Sequence, residues 1–156
     1  MKKLKNLINT LKLKKLTLSL AESCTGGFAS YLITKTPGAS AVFKAGVVVY
    51  TLEAKNKLFN LPLKNLQKYG GVSEKIAIIL AKKVRKKFAA DIGGAIVGFA
   101  GPGAKKGVKV GTVFLALNFK NTTISQKAVI KGTRDVVRKK ASNILIDLLY
   151  KNLTRI

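Results

Sequence analysis

The stretch Leu16-Thr-Leu-Ser-Leu-Ala-Glu-Ser-Cys-Thr-Gly-Gly27 changes character halfway along its length. Leu16 to Ala21 alternates with the period of a strand. Glu22 to Gly27 is polar and glycine-rich. Phe28 to Lys35 is then spaced as a helix, which Thr36-Pro-Gly-Ala39 breaks. A strand that feeds a helix through a short polar loop is a building unit of layered α/β folds.

The same alternation continues downstream. Ala45 to Tyr50 (AGVVVY) reads as a buried strand, followed by a short helix from Glu53 to Phe59. Ser73 is placed to cap a helix over Glu74 to Phe88. Strands follow over Gly94 to Phe99, Val110 to Asn118 and Ile124 to Ile130. A closing helix starts near Thr133, with Val136, Val137, Ala141, Ile144, Leu145, Leu148 and Leu149 on its apolar face. Upstream, residues 1–15 form an amphipathic basic helix with Leu4, Leu7, Ile8 and Leu11 at helical spacing. Such a stripe packs on the domain or lies on a membrane surface. Elements alternate first and strands then run together, which predicts an α/β fold on a mixed sheet, without repeats or dividing linkers.

Composition narrows the function classes. The chain has 156 residues, with 30 Lys or Arg, 6 Asp or Glu, no His, and a net charge of +24. Its length suits one domain, and a hydrophobic fraction of 47% is ample for a core. Without His there is no Ser-His-Asp triad, no imidazole base and no His metal site. The lone Cys24 excludes an intrachain disulfide and a multi-Cys zinc cluster, and fits a reducing interior. No apolar run is long enough for a spanning helix, and lysines interrupt any signal-peptide core. A cytoplasmic location is expected, with no metal and no cofactor. The charge would attract nucleic acid without a designed site. Yet 26 of the 30 basic residues are Lys, Trp is absent, and aromatic and basic residues do not interleave. Specific recognition favours Arg and stacking aromatics, so a solvated Lys-rich surface is expected, with no specific nucleic-acid or membrane partner.

Three segments are candidates for chemistry. Glu22-Ser-Cys-Thr-Gly-Gly27 brings two hydroxyls and a thiol to a strand end, where nucleophiles and oxyanion-binding N–H groups meet. The plainer alternative is a turn in which Ser23 or Thr25 caps the next helix. Gly98-Phe-Ala-Gly-Pro-Gly103 matches neither a P-loop nor G-x-G-x-x-G, but its glycines let backbone approach a ligand. Arg134, in Gly132-Thr-Arg-Asp135, stands at a helix start suited to an anion, or is an exposed arginine beside a cap. With no His, a Ser23 proton must pass to Lys, Tyr or a carboxylate, unless Cys24 is the nucleophile. Spacing does not choose among the lysines.

Together these segments resemble the CinA C-terminal domain family. The resemblance rests on Leu20-Ala-Glu-Ser-Cys-Thr-Gly-Gly27, Pro37-Gly-Ala-Ser40, Gly46-Val-Val-Val-Tyr50 with Glu53-Ala-Lys55, Tyr69-Gly-Gly-Val-Ser-Glu74, Ala100-Gly-Pro102, Val110-Gly-Thr-Val113 and Gly132-Thr-Arg-Asp135. It covers roughly residues 16–150, so residues 1–156 are expected to form one such domain, with an α/β core over 16–153. The resemblance implies a three-layer α/β/α sandwich on a mixed sheet. It also implies deamidation of nicotinamide mononucleotide to nicotinate mononucleotide and ammonia. On that basis Ser23 is the nucleophile, Lys55 activates it, and Tyr50 lines the site. Gly46, Gly101 and Thr112 shape the substrate pocket, and Arg134 reaches the phosphate; turn chemistry alone places the oxyanion on the backbone N–H groups of Thr25, Gly26 and Gly27. Glu22 is expected to be structural. The implied partners are the nucleotide substrate and further copies of the chain. Competing expectations are an inactive nucleotide-binding or assembly protein and a nucleic-acid-associated protein. The sequence departs from the family pattern at Leu52, Val97 and Lys109 and in a shorter 103–109 loop. No counterpart of the N-terminal molybdopterin-binding-like domain of many members is seen.

Overall fold

A computed structural model describes residues 2–153. In chain order these residues form helix α1 (Lys2–Leu13), strand β1 (Leu18–Glu22), helix α2 (Phe28–Thr34), strand β2 (Phe43–Val48), and helices α3 (Leu52–Phe59), α4 (Leu63–Lys68) and α5 (Glu74–Lys87). Strands β3 (Ile92–Gly98), β4 (Thr112–Asn118) and β5 (Thr123–Val129) and helix α6 (Arg134–Leu153) complete the fold. The sheet order is β2-β1-β3-β4-β5. β1 runs parallel to both its neighbours, while β3–β4 and β4–β5 are antiparallel. The expected mixed sheet is therefore present, in a single α/β domain.

Period-two alternation gives the sheet two different faces. Leu18, Leu20, Ile92, Ile96, Val113, Leu115 and Leu117 share one core with α1, α2 and α6. Ala21, Ala95, Val97 and Ala116 share the other with α3, α4 and α5. The second face carries small residues for a reason visible at Gly93, where a Cβ would run into the Ala81 carbonyl of α5. Glycine there lets α5 lie close on β3. It also hides the start of β3 from sequence reading, which places it two residues late.

The apolar stripe of residues 1–15 packs inward. Leu7, Ile8 and Leu11 are buried, and a Lys3–Asp147 ion pair of 2.7 Å links α1 to α6. Ser73 caps α5 as expected, accepting a hydrogen bond from the Ile76 N–H at 3.3 Å. Two readings change. AGVVVY is not a buried strand: β2 is the sheet edge, its residues alternate between half-buried and exposed, and Val48 is exposed. The valines continue past the strand, and only Val49 turns fully inward. Helix α4 was not anticipated, because six residues offer too short a window for helical periodicity. No described helix is long and apolar enough to cross a membrane.

Candidate active site

β1, β2 and β3 end at the same side of the sheet. After β1 the chain turns through α2 to β2 on one flank, then returns through α3–α5 to β3 on the other. Such a topological switch point opens a crevice beyond the carboxyl ends of the strands. Ser23 is the first residue after β1, and its N–H extends the ladder by donating to the Ile96 carbonyl at 3.0 Å. Gly26 and Gly27 follow at φ of +59° and +93°, a region that side chains enter at a cost.

Glu22 holds this loop. Its carboxylate is fully buried and accepts four hydrogen bonds. One oxygen takes the Thr25 hydroxyl at 2.6 Å and the Ala29 N–H at 3.0 Å. The other takes the Ser30 N–H at 2.8 Å and the Ser30 hydroxyl at 2.6 Å. The free N–H groups at the start of α2 are thus satisfied from the end of β1, where the helix dipole also favours an anion. This corrects the capping alternative. Neither Ser23 nor Thr25 caps α2: the cap position is Gly27, which makes no side-chain cap. From the other side, Arg138 of α6 donates twice to the Thr25 carbonyl, at 3.1 and 3.2 Å.

Lys55 lies in the first turn of α3, whose N-terminus Thr51 caps by accepting from the Ala54 N–H at 3.1 Å. That turn points the lysine inward, and it is only 1% exposed. Its Nζ lies 3.4 Å from Ser23 Oγ and 3.4 Å from the Tyr50 carbonyl. Burial pulls its pKa below the ordinary lysine value, against weaker opposing effects of Cys24 and Glu53. Two long contacts and no ion pair among the described residues are poor compensation for a buried ammonium, which is the physical cause of the downward shift. At Cys24, burial pushes the thiol up to about 11. A thiol of that kind is protonated at neutral pH.

A cleft of about 220 Å³ opens over these groups, lined by Ser23, Cys24, Tyr50, Val72, Ala100 and Arg134 among others. Arg134 spans its mouth, donating to the Gly101 carbonyl and the Tyr50 hydroxyl, each at 2.6 Å. The structure therefore brings Ser23, Lys55, Tyr50, Gly101 and Arg134 together. The other named positions stand back from the cleft. Thr25 is tied to Glu22 and Arg138, and the Gly26 N–H donates to the Ser23 carbonyl at 3.0 Å, so it is committed. Gly27 lies against Val48. Gly46 lets α2 pack on β2, since a Cβ there would strike the Ser30 hydroxyl. Thr112 is buried and donates to the Lys109 carbonyl at 2.7 Å.

Sequence reasoning missed Arg138, although its spacing of four from Arg134 puts both on one helix face. It also gave no role to Val72, although Val72 lies in Tyr69-Gly-Gly-Val-Ser-Glu74, one of the segments that carry the resemblance. Of the departures from the family pattern, Val97 is in the α5-side core and Leu52 packs on Gly71. Of the 103–109 loop, Gly103 lines the cleft. No cluster of three or more candidate metal ligands occurs among the described residues.

The sequence matches the model of the CinA C-terminal domain over residues 1–153. The chain belongs to the CinA C-terminal domain family. A CinA-like protein of Amoebophilus asiaticus (strain 5a2) is 41% identical over 144 residues, covering 92% of this chain and 35% of that protein. This CinA domain thus spans about a third of the length of the curated relatives it matches. A solved CinA superfamily protein from Klebsiella pneumoniae 700603 superposes with a TM-score of 0.95 at 28% identity, covering 99% of this chain and 98% of that one. A competence or damage-inducible protein from Enterobacter asburiae does so with a TM-score of 0.92 at 32% identity, covering 97% and 96%.

Proposed function

We infer that this CinA domain is an amidohydrolase that deamidates a pyridine mononucleotide, nicotinamide mononucleotide being the reference substrate. The observation that carries the reading is the buried Lys55 amine 3.4 Å from the Ser23 hydroxyl, with its pKa lowered by burial. A lysine so placed serves as the general base that a chain without His otherwise lacks.

Neutral Lys55 takes the Ser23 proton as Oγ attacks the carboxamide carbon. Collapse of the tetrahedral intermediate breaks the C–N bond, and protonated Lys55 gives its proton to the departing nitrogen, which leaves as ammonia. Water, deprotonated by the again neutral Lys55, then attacks the acyl-enzyme and releases the nicotinate product and Ser23. The Gly26 N–H is committed, so the oxyanion falls to backbone donors on the opposite wall. The N–H groups of Ala100 and Gly101 make no hydrogen bond among the described residues. A cleft of about 220 Å³ is below the usual size for a whole drug-like ligand. It takes the ring and carboxamide, while the ribose phosphate lies across the mouth, where Arg134 keeps further N–H groups for the phosphate.

Ammonia release from purified protein with nicotinamide mononucleotide tests this reading. Activity that disappears in both Ser23→Ala and Lys55→Met is expected. Full activity in either variant would overturn the scheme.

A further inference from the structure

A large cavity lies at the opposite end of the sheet from Ser23, about 16 Å away along β1 at the usual strand rise. This cleft of about 780 Å³ has walls from the starts of β1, β3 and β5, the end of β4 and the last turn of α6. Leu16, Ile92, Phe119 and Ile124 give it an apolar floor, and Arg85, Lys120 and Asn121 stand at its edge. Those three residues also line a second hollow of about 240 Å³, together with Lys82 and Lys86. An apolar chamber and a cationic one therefore meet at Arg85.

Arg85 is held in place. The buried Asn118 amide donates to the Thr122 carbonyl at 3.3 Å and the Thr123 hydroxyl at 2.9 Å, which turns its Oδ1 toward Arg85 Nε at 2.7 Å. The terminal N–H groups of Arg85 have no partner among the described residues, and neither Arg85 nor Lys82, Lys86 or Lys120 makes an ion pair among them. Asp91, the one acid lining either hollow among the described residues, accepts at a single oxygen, Oδ2, from the N–H and hydroxyl of Thr17, at 2.8 and 2.7 Å. Asn152, 8% exposed, donates to the Leu148 carbonyl, and its Oδ1 is left as an acceptor in the wall.

We propose that this cleft is a second ligand site for a small phosphate monoester with an apolar or aromatic body. Among the described residues, Arg85 and Lys120 in the cleft and Lys82 and Lys86 in the adjoining hollow stand against one carboxylate, a balance that matches a dianion better than a monoanion. A fixed guanidinium edge fits phosphate oxygens, and the apolar floor receives the organic part. The site is independent of the amidase reading, since it shares no residue with the Ser23 cleft.

Calorimetric titration of the full chain with AMP at 150 mM salt tests the proposal, with adenosine and inorganic phosphate as separate probes. AMP is expected to bind at least tenfold more tightly than either part. Arg85→Gln, and independently the exposed Lys120→Gln, each weaken AMP binding several-fold or more. The distant pair Lys57→Gln/Lys64→Gln leaves it within twofold. Loss in the distant pair would reduce the effect to nonspecific lysine charge, and loss in Arg134→Gln would move it to the Ser23 cleft. Phosphate binding as tightly as AMP would remove the role of the apolar floor. No binding at millimolar AMP would also overturn the proposal. Lys120 lies on the surface, so its variant answers the question even where Arg85→Gln lowers stability.

Discussion

Glu22→Gln tests whether one carboxylate builds the loop that presents Ser23. Each carboxylate oxygen accepts one backbone N–H and one hydroxyl. A glutamine has a single acceptor oxygen, so its NH2 must face either the Ala29 or the Ser30 N–H. A hydroxyl can rotate to accept from that NH2; a backbone N–H cannot. One buried donor is left unsatisfied, at about 1–3 kcal/mol, and the remaining bonds lose the strengthening of an ionised acceptor. The sum is about 2–4 kcal/mol against a total stability of roughly 5–15 kcal/mol for such a domain. At about 2–4 °C per kcal/mol for a chain of this size, 3 kcal/mol corresponds to a fall in Tm of about 6–12 °C. Urea unfolding followed by far-UV circular dichroism reads this as a lower midpoint at unchanged slope. Glu22→Ala, which strands both backbone donors, should be worse than Glu22→Gln. A Glu22→Gln midpoint within about 0.5 kcal/mol of the parent protein would refute the reasoning.

Four further outcomes follow from the structure. Because burial lowers the Lys55 pKa below its unfolded value, the unfolded chain holds that proton more tightly. The resulting destabilisation is complete below the folded pKa and is removed as pH rises toward the unfolded value near 10.4. Lys55→Met should therefore lose amidase activity yet gain stability at neutral pH over the parent, a gain that shrinks in alkaline urea titrations. The same shift places the rising limb of kcat/KM below the ordinary lysine range, and a limb at or above pH 10.4 would argue against Lys55 as the base. Cys24, with its thiol held near 11, should resist iodoacetamide in the native protein at pH 7.5 and react once unfolded; rapid native alkylation would contradict its burial. Ser19 Oγ is buried with no hydrogen-bond partner among the described residues, so Ser19→Ala should raise stability by about 1 kcal/mol in the same urea assay, and a loss would show that the hydroxyl is satisfied.

Much of the fold is legible in local pattern. Leu16 to Ala21 declares a strand by its alternation, Leu7, Ile8 and Leu11 declare an inward helix face, and Ser73 and Thr133 mark helix starts. Each of these signals arises from residues within a few positions of one another, where backbone sterics and side-chain period act. The absence of His is equally a property of the sequence, and it confines any Ser23 chemistry to an unusual base. Resemblance to a family, rather than spacing, singles out Lys55 among 26 lysines. Tertiary structure decided the rest. It set β2 at the sheet edge, although its valines suggest a buried strand. It brought Lys55 to Ser23 across 32 residues, drew four donors onto Glu22, and aimed Arg138 at the loop from the far end of the chain. It also joined Leu16, Arg85, Phe119 and Asn152 around one cleft that no contiguous motif announces. The physical reason is the range of the forces involved. Hydrogen-bond periodicity is written into neighbouring residues, whereas whether a lysine loses its water or a glutamate finds four donors depends on packing among segments distant in the chain.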